Sequence, residues 1–413
     1  MRPLLPLLLA VIPLTADVEI RGHADLQADA FLIRPESKHD NDFTLLGNLE
    51  AEYAHEAFRA ALQLNAQQDY YDLQGRNEHN GRSFVRLDEL YGSYDFDEDR
   101  LSAGRSIRFW GALEVRNIVD GFNPVDFRSG LFEEDKMGVW NAAWTHYTDT
   151  GSLALIVKMH EEDRKMAQPP YVYYFFPPFA RYDRTLNTET SRDRPTFYLR
   201  LSGSTETEYP LDYTVILQHG YDAQRYFLPD GPPDGSVPVT LGEHAYLVNK
   251  AMTFETLVVG ETLFKLEALY TDVIDEERIS DYYHVGAGVE HTLSQIHGNA
   301  DLGLLAEYYR YDTLEKGEGK YTDLELFEVF QNDLFVGLRY SWNNMNDASL
   351  VGGVVSDMEY NEQSWYAEYE TRLFDAFKLN ADYRYIEPSK RTATAFHLLG
   401  RIQTVTVKLG YYF

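Results

Sequence analysis

The chain has 413 residues, a formal net charge of −29 and no cysteine. The acidic balance argues against a nucleic-acid partner, which needs a basic surface, and the lack of cysteine excludes disulfides and thiolate metal sites. A soluble protein of this length usually divides into several domains, whereas a large β-barrel is one closed sheet whatever its circumference.

The first element in chain order is the only long apolar run, residues 3–14, which follows Arg2. The run is too short for a membrane-spanning helix, which needs about 20 residues. It is typical of the core of a secretory signal peptide, with Ala16 as a plausible cleavage position. We therefore expect residues 1–16 to be a signal peptide and residues 17–413 to form one domain after export.

From residue 17 onward, the chain divides into segments in which apolar and polar residues alternate. This period of two is that of a β-strand, because successive side chains of a strand point to opposite faces. The alternation predicts eighteen strands, at about 17–34, 44–55, 57–71, 82–96, 99–111, 138–148, 151–163, 194–205, 210–222, 243–257, 261–273, 281–293, 298–312, 332–344, 346–358, 360–374, 377–387 and 395–413.

The last ten residues show the pattern most clearly, as T-V-T-V-K-L-G-Y-Y-F. Val405, Val407, Leu409 and Tyr411 share one face, and the other face carries polar residues that include Lys408. An apolar face opposite a polar face fits a strand with lipid outside and water inside. The terminal Phe413 resembles the end of outer-membrane proteins, which implies an assembly signal read by the barrel-assembly machinery.

The connections between these segments alternate in length. The even-numbered connections are tight and most carry Gly, Asn or Asp, whereas the odd-numbered ones include residues 112–137, 164–193, 223–242 and 313–331. Bacterial outer-membrane barrels have short periplasmic turns and long extracellular loops. We therefore predict an all-β protein, a transmembrane antiparallel up-and-down β-barrel of about 18 strands in a bacterial outer membrane. The number would be 16 if the segments 17–34 and 243–257 are loop ribbons.

The polar faces of the strands are predicted to line a wet lumen. The wall then carries equal numbers of basic and acidic side chains, so we expect no strong ion selectivity from the wall itself. The inward positions are Arg59, Lys158, Arg200, Lys265, Arg339, Arg372, Arg384 and Lys408, against Glu50, Glu52, Glu267, Glu290, Glu307, Glu368, Glu370 and Asp382.

Residues 104–128 end the fifth predicted strand, enter the third long connection and carry the densest set of charges. If this loop folds into the lumen, facing charges would narrow the pore and set its selectivity. Alternatively, Asn123 and Pro124 form a turn and the Arg–Asp pairs hold the loop against the wall; the two interpretations are compatible. The candidate constriction residues are Arg105, Arg108, Arg116, Asp120, Asn123, Asp126 and Arg128.

The same segment contains Gly104-Arg105, Trp110-Gly111 and Asn123-Pro124-Val125-Asp126, and residues 330–340 read F-Q-N-D-L-F-V-G-L-R-Y. In these patterns the chain resembles a large family of outer-membrane barrels that are mostly of unknown function. It resembles the alginate-export and porin-like barrels more distantly. The resemblance implies a single barrel for the passage of solutes or lipidic molecules, and it implies no particular substrate.

Two further loop features allow two interpretations each. Residues 164–184 contain two Pro pairs and six aromatic residues between 171 and 179, which could bind sugar rings or an apolar ligand, although an interfacial aromatic belt or a lid packed on the barrel mouth is favoured. Acidic clusters occur at 36–42, 161–164, 272–281 and 312–328. These clusters could bind divalent cations that bridge to the phosphates of outer-membrane lipid and lipopolysaccharide, although a solvated, repulsive rim is favoured.

Enzymatic activity, cofactors and metals are not expected. The sequence has neither H-E-x-x-H nor G-x-S-x-G, and its paired acids lie in loops. The first hypothesis is a channel for small solutes or organic molecules, narrowed by residues 112–137. The alternatives are a conduit for lipid or polysaccharide that works with periplasmic partners, and a structural or adhesive surface barrel.

Overall fold

The computed structural model describes residues 17–74, 80–128, 130, 135–174, 176, 180–229, 239–274, 276–314, 328–390 and 394–413. The predicted signal peptide, residues 1–16, lies outside the described residues.

Eighteen described strands form one closed barrel, in which neighbouring strands pair antiparallel and the last strand pairs with the first. The predicted fold class is therefore confirmed. The barrel strands, numbered along the chain with three loop strands given below, are β1 (Asp17–Ile33), β2 (Asn41–His55), β3 (Phe58–Asp69), β4 (Phe84–Phe96), β5 (Asp99–Ser106), β6 (Val139–Thr148), β7 (Gly151–Lys158), β9 (Thr196–Ser204), β10 (Leu211–Tyr221), β13 (Leu247–Val259), β14 (Thr262–Ile274), β15 (Tyr282–His297), β16 (Ala300–Thr313), β17 (Asn332–Ser341), β18 (Ser349–Asp357), β19 (Gln363–Leu373), β20 (Phe377–Glu387) and β21 (Ile402–Tyr412).

The remaining described elements lie in the connections. Strands β8 (Ala180–Thr188), β11 (Tyr226–Pro229) and β12 (Val239–Ala245) form a small sheet that joins two long loops. The helices α1 (Tyr70–Gln74) and α2 (Ala395–Leu399) are one turn each. Within the described residues, no helix has the length and apolar character that crossing a membrane would require.

The two faces of the barrel wall differ as the alternation predicts. In β17, Leu334 and Val336 are exposed on the outer face, whereas Phe335 between them is buried on the inner face. The same outward apolar band continues in β21 through Val407 and Leu409. An apolar outer band with polar groups inside is the pattern of a barrel that is surrounded by lipid.

The predicted strands 243–257 and 395–413 start too early, the predicted strand 151–163 ends at Lys158, and the alternative of sixteen strands is wrong. Segments 17–34 and 243–257 both contain barrel strands, but the second begins at Leu247 because residues 239–245 pair in the small loop sheet. Residues 395–399 are helical rather than extended. The Thr394 side chain accepts a hydrogen bond from the His397 N–H, and Gly400 ends the helix at φ 84°.

The connections alternate in length along most of the chain. We call the end of the barrel with the odd-numbered connections the loop rim, and the opposite end the turn rim. Two-residue turns occur at 56–57, 97–98, 149–150, 260–261 and 298–299, whereas the loop rim has connections such as 107–138 and 159–195. The alternation fails once, since the turn at 342–348 is longer than the loop at 358–362.

The seam between β1 and β21 ends at the last residue of the chain. The backbone N–H groups of Phe413 and Gly22 each donate to the other residue's carbonyl at 3.0 Å. A Cβ atom on Gly22 would lie 2.9 Å from the Phe413 ring and 2.5 Å from the Asn48 carbonyl oxygen. Gly22 therefore leaves the space that the terminal aromatic ring occupies.

Candidate pore and its inward loop

The third long connection leaves the wall before β5 has paired along the full length of β4. Strand β5 pairs with β4 only as far as Arg105 opposite Leu90, although β4 begins at Phe84. Gly104 has φ 139°, and the N–H of Ile107 then donates to Oε1 of the inward Glu89 at 3.0 Å. The prediction of a strand at 99–111 is therefore too long. Residues 107–138, which we call loop 3, start and end beside the lumen.

Two buried carboxylates of the wall hold the backbone of loop 3. Glu267 on β14 accepts from the N–H groups of Ala112 (2.5 Å), Leu113 (2.9 Å) and Val119 (3.3 Å). Glu307 on β16 accepts from the N–H groups of residues 114 and 115 at 2.7 and 3.1 Å. A buried carboxylate is costly unless it is hydrogen-bonded. The N–H groups of the loop therefore stabilise the two buried carboxylates, and the carboxylates satisfy those N–H groups. We call Glu267 and Glu307 the latch.

Two glycines of β15 make room for the loop beside the latch. Gly286 and Gly288 face the lumen, and a Cβ atom on Gly286 would lie 2.5 Å from Cδ1 of Leu113. At Gly288 the distance to Cδ2 of Leu113 would be 3.1 Å. Leu113 thus occupies the volume that two side chains of the wall would otherwise fill.

Loop 3 and the wall share an apolar core inside the barrel. Trp110 and Phe122 lie with their ring centroids 5.3 and 5.2 Å from that of Tyr198 on β9. Many inward residues of the wall beside this part of loop 3 are apolar, which the prediction of a wet polar wall missed. The members of this core include Trp110, Leu113, Ile118, Val119, Phe122, Tyr198, Ile216, Met252, Leu269 and Tyr309.

Several predicted wall charges pair with each other or with the loop. Arg339 contacts Glu290 at 3.0 Å and also pairs with Glu114 of loop 3. Lys265 lies 3.6 Å from Glu290 and 3.7 Å from Glu114. These two cations and two anions form a network that connects β14, β15 and β17 to the loop.

The second half of loop 3 is held against β4. Arg86 pairs with Asp88 at 2.7 Å and also with Asp126 and Asp135. Arg128 pairs with Asp126 at 2.6 Å, and its guanidinium lies 4.1 Å from the centroid of the Phe84 ring. These contacts support the interpretation in which Arg–Asp pairs fix the loop to the wall.

The base of loop 3 is closed by Asn123, which accepts from the Arg108 N–H at 2.8 Å and donates to the Met137 carbonyl at 2.8 Å. Asp120 pairs with Lys136, and Arg105 pairs with Glu162 of the next loop. The Arg116 N–H donates to the Tyr309 hydroxyl at 3.2 Å. Six of the seven candidate constriction residues thus lie in this one folded loop, and Arg105 lies beside it near the end of β5.

The other predicted wall residues lie away from loop 3 or at the rims. Lys158 pairs with Glu161 at 2.6 Å at the loop rim, and Glu368 accepts from Asn380 at 2.7 Å. Arg372 pairs with Asp347 at 3.2 Å at the turn rim. Arg59 on β3 is exposed, and Asp382, Arg384 and Lys408 on β20 and β21 have Thr406, Thr404 and Asn380 as register partners.

Two arginines differ from the rest. Among the described residues, neither Arg108 nor Arg200 has a carboxylate partner, and the Nε atom of each is buried without a hydrogen bond. Arg108 donates to Oδ1 of Asn141 at 3.0 Å, and its guanidinium lies 5.4 Å from the Phe122 ring centroid. Arg200 on β9 lies near Arg108, and the positive charges of the two guanidinium groups repel each other. The balanced wall of the prediction therefore contains a locally positive region.

The aromatic loop, residues 164–184, packs through Tyr171 and Val172 on the loop-rim ends of β1, β20 and β21. Tyr171 and Tyr174 are buried, and residues 175 and 177–179 lie outside the described part of the chain. The Lys38 ammonium donates to the carbonyls of Pro169 (2.6 Å), Tyr171 (3.1 Å) and Tyr174 (3.0 Å). Burial lowers the pKa of Lys38 to about 8. Lys38 is thus a clamp between the first loop and the aromatic loop.

The acidic clusters are not uniformly solvated. Glu161 is buried between Lys158 and Arg225, the latter at 2.8 Å. Asp42 is buried against Arg82, which also contacts Asp69 at 3.1 Å. These acids stabilise the folded loops through ion pairs, so the prediction of a solvated rim is wrong at Glu161 and Asp42. Residues 315–327 lie outside the described ranges.

Comparisons with known proteins show the fold. No family model and no curated protein matches this chain. Three solved structures cover 95–96% of it: Pseudomonas aeruginosa OccD3 (9% identity, 91% of that chain, TM-score 0.54), Acinetobacter baumannii OccAB2 (11%, 98%, 0.54) and Escherichia coli Wzi (11%, 84%, 0.50). Wzi is described as an outer-membrane protein involved in group 1 capsule assembly and as a carbohydrate-binding β-barrel. At these identities the similarity shows an outer-membrane type of barrel.

Proposed function

We propose that this chain is a porin-like channel of the bacterial outer membrane for small solutes or organic molecules, and that loop 3 narrows its lumen. The loop rim would face the cell exterior and the turn rim the periplasm. The observation that carries the proposal is the latch, in which Glu267 and Glu307 hold five backbone N–H groups of the loop inside the barrel.

The contacts of loop 3 support a passage along one side of the lumen. The loop packs on inward residues of β9, β10 and β13 to β16, and its salt bridges reach β4 and β17. The inward residues of β19 to β21 and of β1 to β3 are mainly polar, such as Glu368, Lys408 and Asn48. Water and solutes would therefore pass between the loop and these strands.

The positive region supports a preference for solutes that carry negative charge. Lys158, Lys265, Arg339 and Arg372 each have a carboxylate partner that offsets their charge, whereas Arg108 and Arg200 have none among the described residues. Rings and clusters of unpaired charge set the selectivity of pores. We assign this role to the pair even though the overall charge of the chain is negative.

The test is to release the latch. In the double variant Glu267→Ala and Glu307→Ala, the loop loses its acceptors, so single-channel conductance in planar bilayers should rise by about twofold or more. The matched control is Glu368→Ala, which removes an inward carboxylate that does not contact loop 3. Equal conductance of the double variant and the control would contradict the proposed narrowing.

The second candidate is a conduit for lipid or polysaccharide that works with periplasmic partners. The apolar core between loop 3 and the wall favours it, because a filled section of lumen restricts ions. A folded chain without conductance, whose removal changes the polysaccharide or lipid of the envelope, would favour this candidate over the channel.

A further inference from the structure

The water-facing surface of loop 3 carries an exposed phenyl ring. Among the described residues of the loop, 107–128, 130 and 135–138, only Phe109 and Glu114 are exposed. Glu114 is engaged by Arg339 and Lys265. Phe109 is 72% exposed, whereas the adjacent Trp110 is buried.

The residues around Phe109 place it in the lumen rather than in lipid. The N–H of Ile107 donates to the inward Glu89, and the N–H of Arg108 donates to Asn123 inside the loop. Trp110 packs on the inward Tyr198. The chain on both sides of Phe109 is therefore enclosed by the wall, and the exposed ring faces water inside the barrel. Leaving an apolar ring in water forgoes the stabilisation that burial provides elsewhere in this loop.

One face of the ring is already occupied. The Lys136 ammonium lies 3.9 Å from the ring centroid. Lys136 is itself buried and fixed by its ion pair with Asp120. A cation under an aromatic ring holds it by electrostatic attraction. The ring is therefore preorganised, and its second face is open as far as the described residues extend.

We propose that Phe109 is a stacking site for solutes that carry a planar aromatic ring. This inference rests on the proposed function, since it names a solute class for the same lumen. An offset-stacked ring pair gains more than the burial of equal area, and a preorganised ring loses little conformational freedom on binding. A puckered ring of similar size cannot make the same contact with a flat face.

The test compares benzoate with cyclohexanecarboxylate, which have equal charge and similar size but differ in planarity. In planar bilayers, benzoate should reduce the potassium chloride current of the wild-type channel at an about fivefold lower concentration. Phe109→Leu should abolish this difference, and Phe109→Trp should keep it. Leucine still covers Lys136 with apolar surface, so a merely structural role of Phe109 predicts no change in Phe109→Leu.

The matched control is Phe264→Leu, because Phe264 is exposed on the outer face of β14. In this variant, benzoate should reduce the current at the same concentration as in the wild type. A preference for benzoate that persists in Phe109→Leu overturns the stacking site. If the folded wild-type chain does not conduct, the proposed function fails instead. Saturation-transfer NMR with benzoate on protein in detergent then decides the inference. Loss of the benzoate signal in Phe109→Leu supports the stacking site, and retention of that signal overturns it.

Discussion

Single glycines decide where aromatic and aliphatic side chains of this barrel can lie. Gly22 accommodates the ring of the terminal Phe413, and Gly286 accommodates Leu113 of loop 3. The period of two places each glycine on the correct face of its strand. It cannot reveal which distant side chain fills the space, since that depends on residues that meet only in the closed barrel.

Gly22 provides the prediction at this scale. In Gly22→Val, the new side chain meets the Asn48 carbonyl and the Phe413 ring, and overpacking of this kind costs about 1–3 kcal/mol. We expect a lower yield of folded barrel, measured by heat-modifiable mobility in gels. Gly47→Val is the matched control, because a Cβ atom on Gly47 meets nothing within 4 Å. Equal yields of the two variants would contradict a role of Gly22 at the seam.

At the scale of elements, the sequence predicted the strands well and their ends less well. Residues 106–109 continue the alternation of β5, yet the chain leaves the wall after Ser106. The cause is non-local, since Glu89 and Asn123 supply hydrogen-bond partners that a neighbouring strand would otherwise supply. Similarly, residues 395–399 fit an extended pattern, but the Thr394 cap and the packing of Phe396 and Leu399 select a helix.

The aromatic loop provides the prediction for an element. Lys38→Ala removes the three hydrogen bonds that the Lys38 ammonium donates to carbonyl groups of the aromatic loop. Hydrogen bonds from a charged donor are stronger than those between neutral groups. We expect hydrogen exchange of the Tyr171 and Tyr174 amides, which close turns at 3.0 and 3.1 Å, to become about tenfold faster or more. Arg401→Ala, at the same rim, should leave both amides unchanged. Unchanged exchange in Lys38→Ala would show that the aromatic loop does not depend on the clamp.

At the scale of the whole molecule, the sequence predicted closure and strand number, and it predicted inward polar faces that occur on β1 to β3 and β19 to β21 but not beside loop 3. It did not predict what fills the lumen. Glu267 and Glu307 lie on strands of the wall, but their role as acceptors for loop 3 depends on the fold of residues 111–119. An equal count of charges likewise conceals which of them are paired, and the unpaired Arg108 and Arg200 emerge only from the three-dimensional arrangement.

Ion selectivity provides the prediction at this scale. Arg200→Ala removes an unpaired positive charge, so the permeability of chloride relative to potassium should fall by about twofold, as read from the reversal potential in a salt gradient. Arg372→Ala changes the net charge equally but removes a cation that is paired with Asp347. If Arg372→Ala lowers the relative chloride permeability as much as Arg200→Ala does, a special role of Arg108 and Arg200 is contradicted.

The central claim is that this barrel conducts solutes through a lumen that loop 3 narrows. The most direct measurement is the single-channel conductance of the refolded chain beside that of a chain in which residues 109–136 are replaced by a short Gly-Ser link. The account predicts a small, stable conductance for the intact chain and a several-fold larger one for the shortened chain. Absence of conductance in the folded intact chain, or equal conductance of the two folded chains, would contradict it.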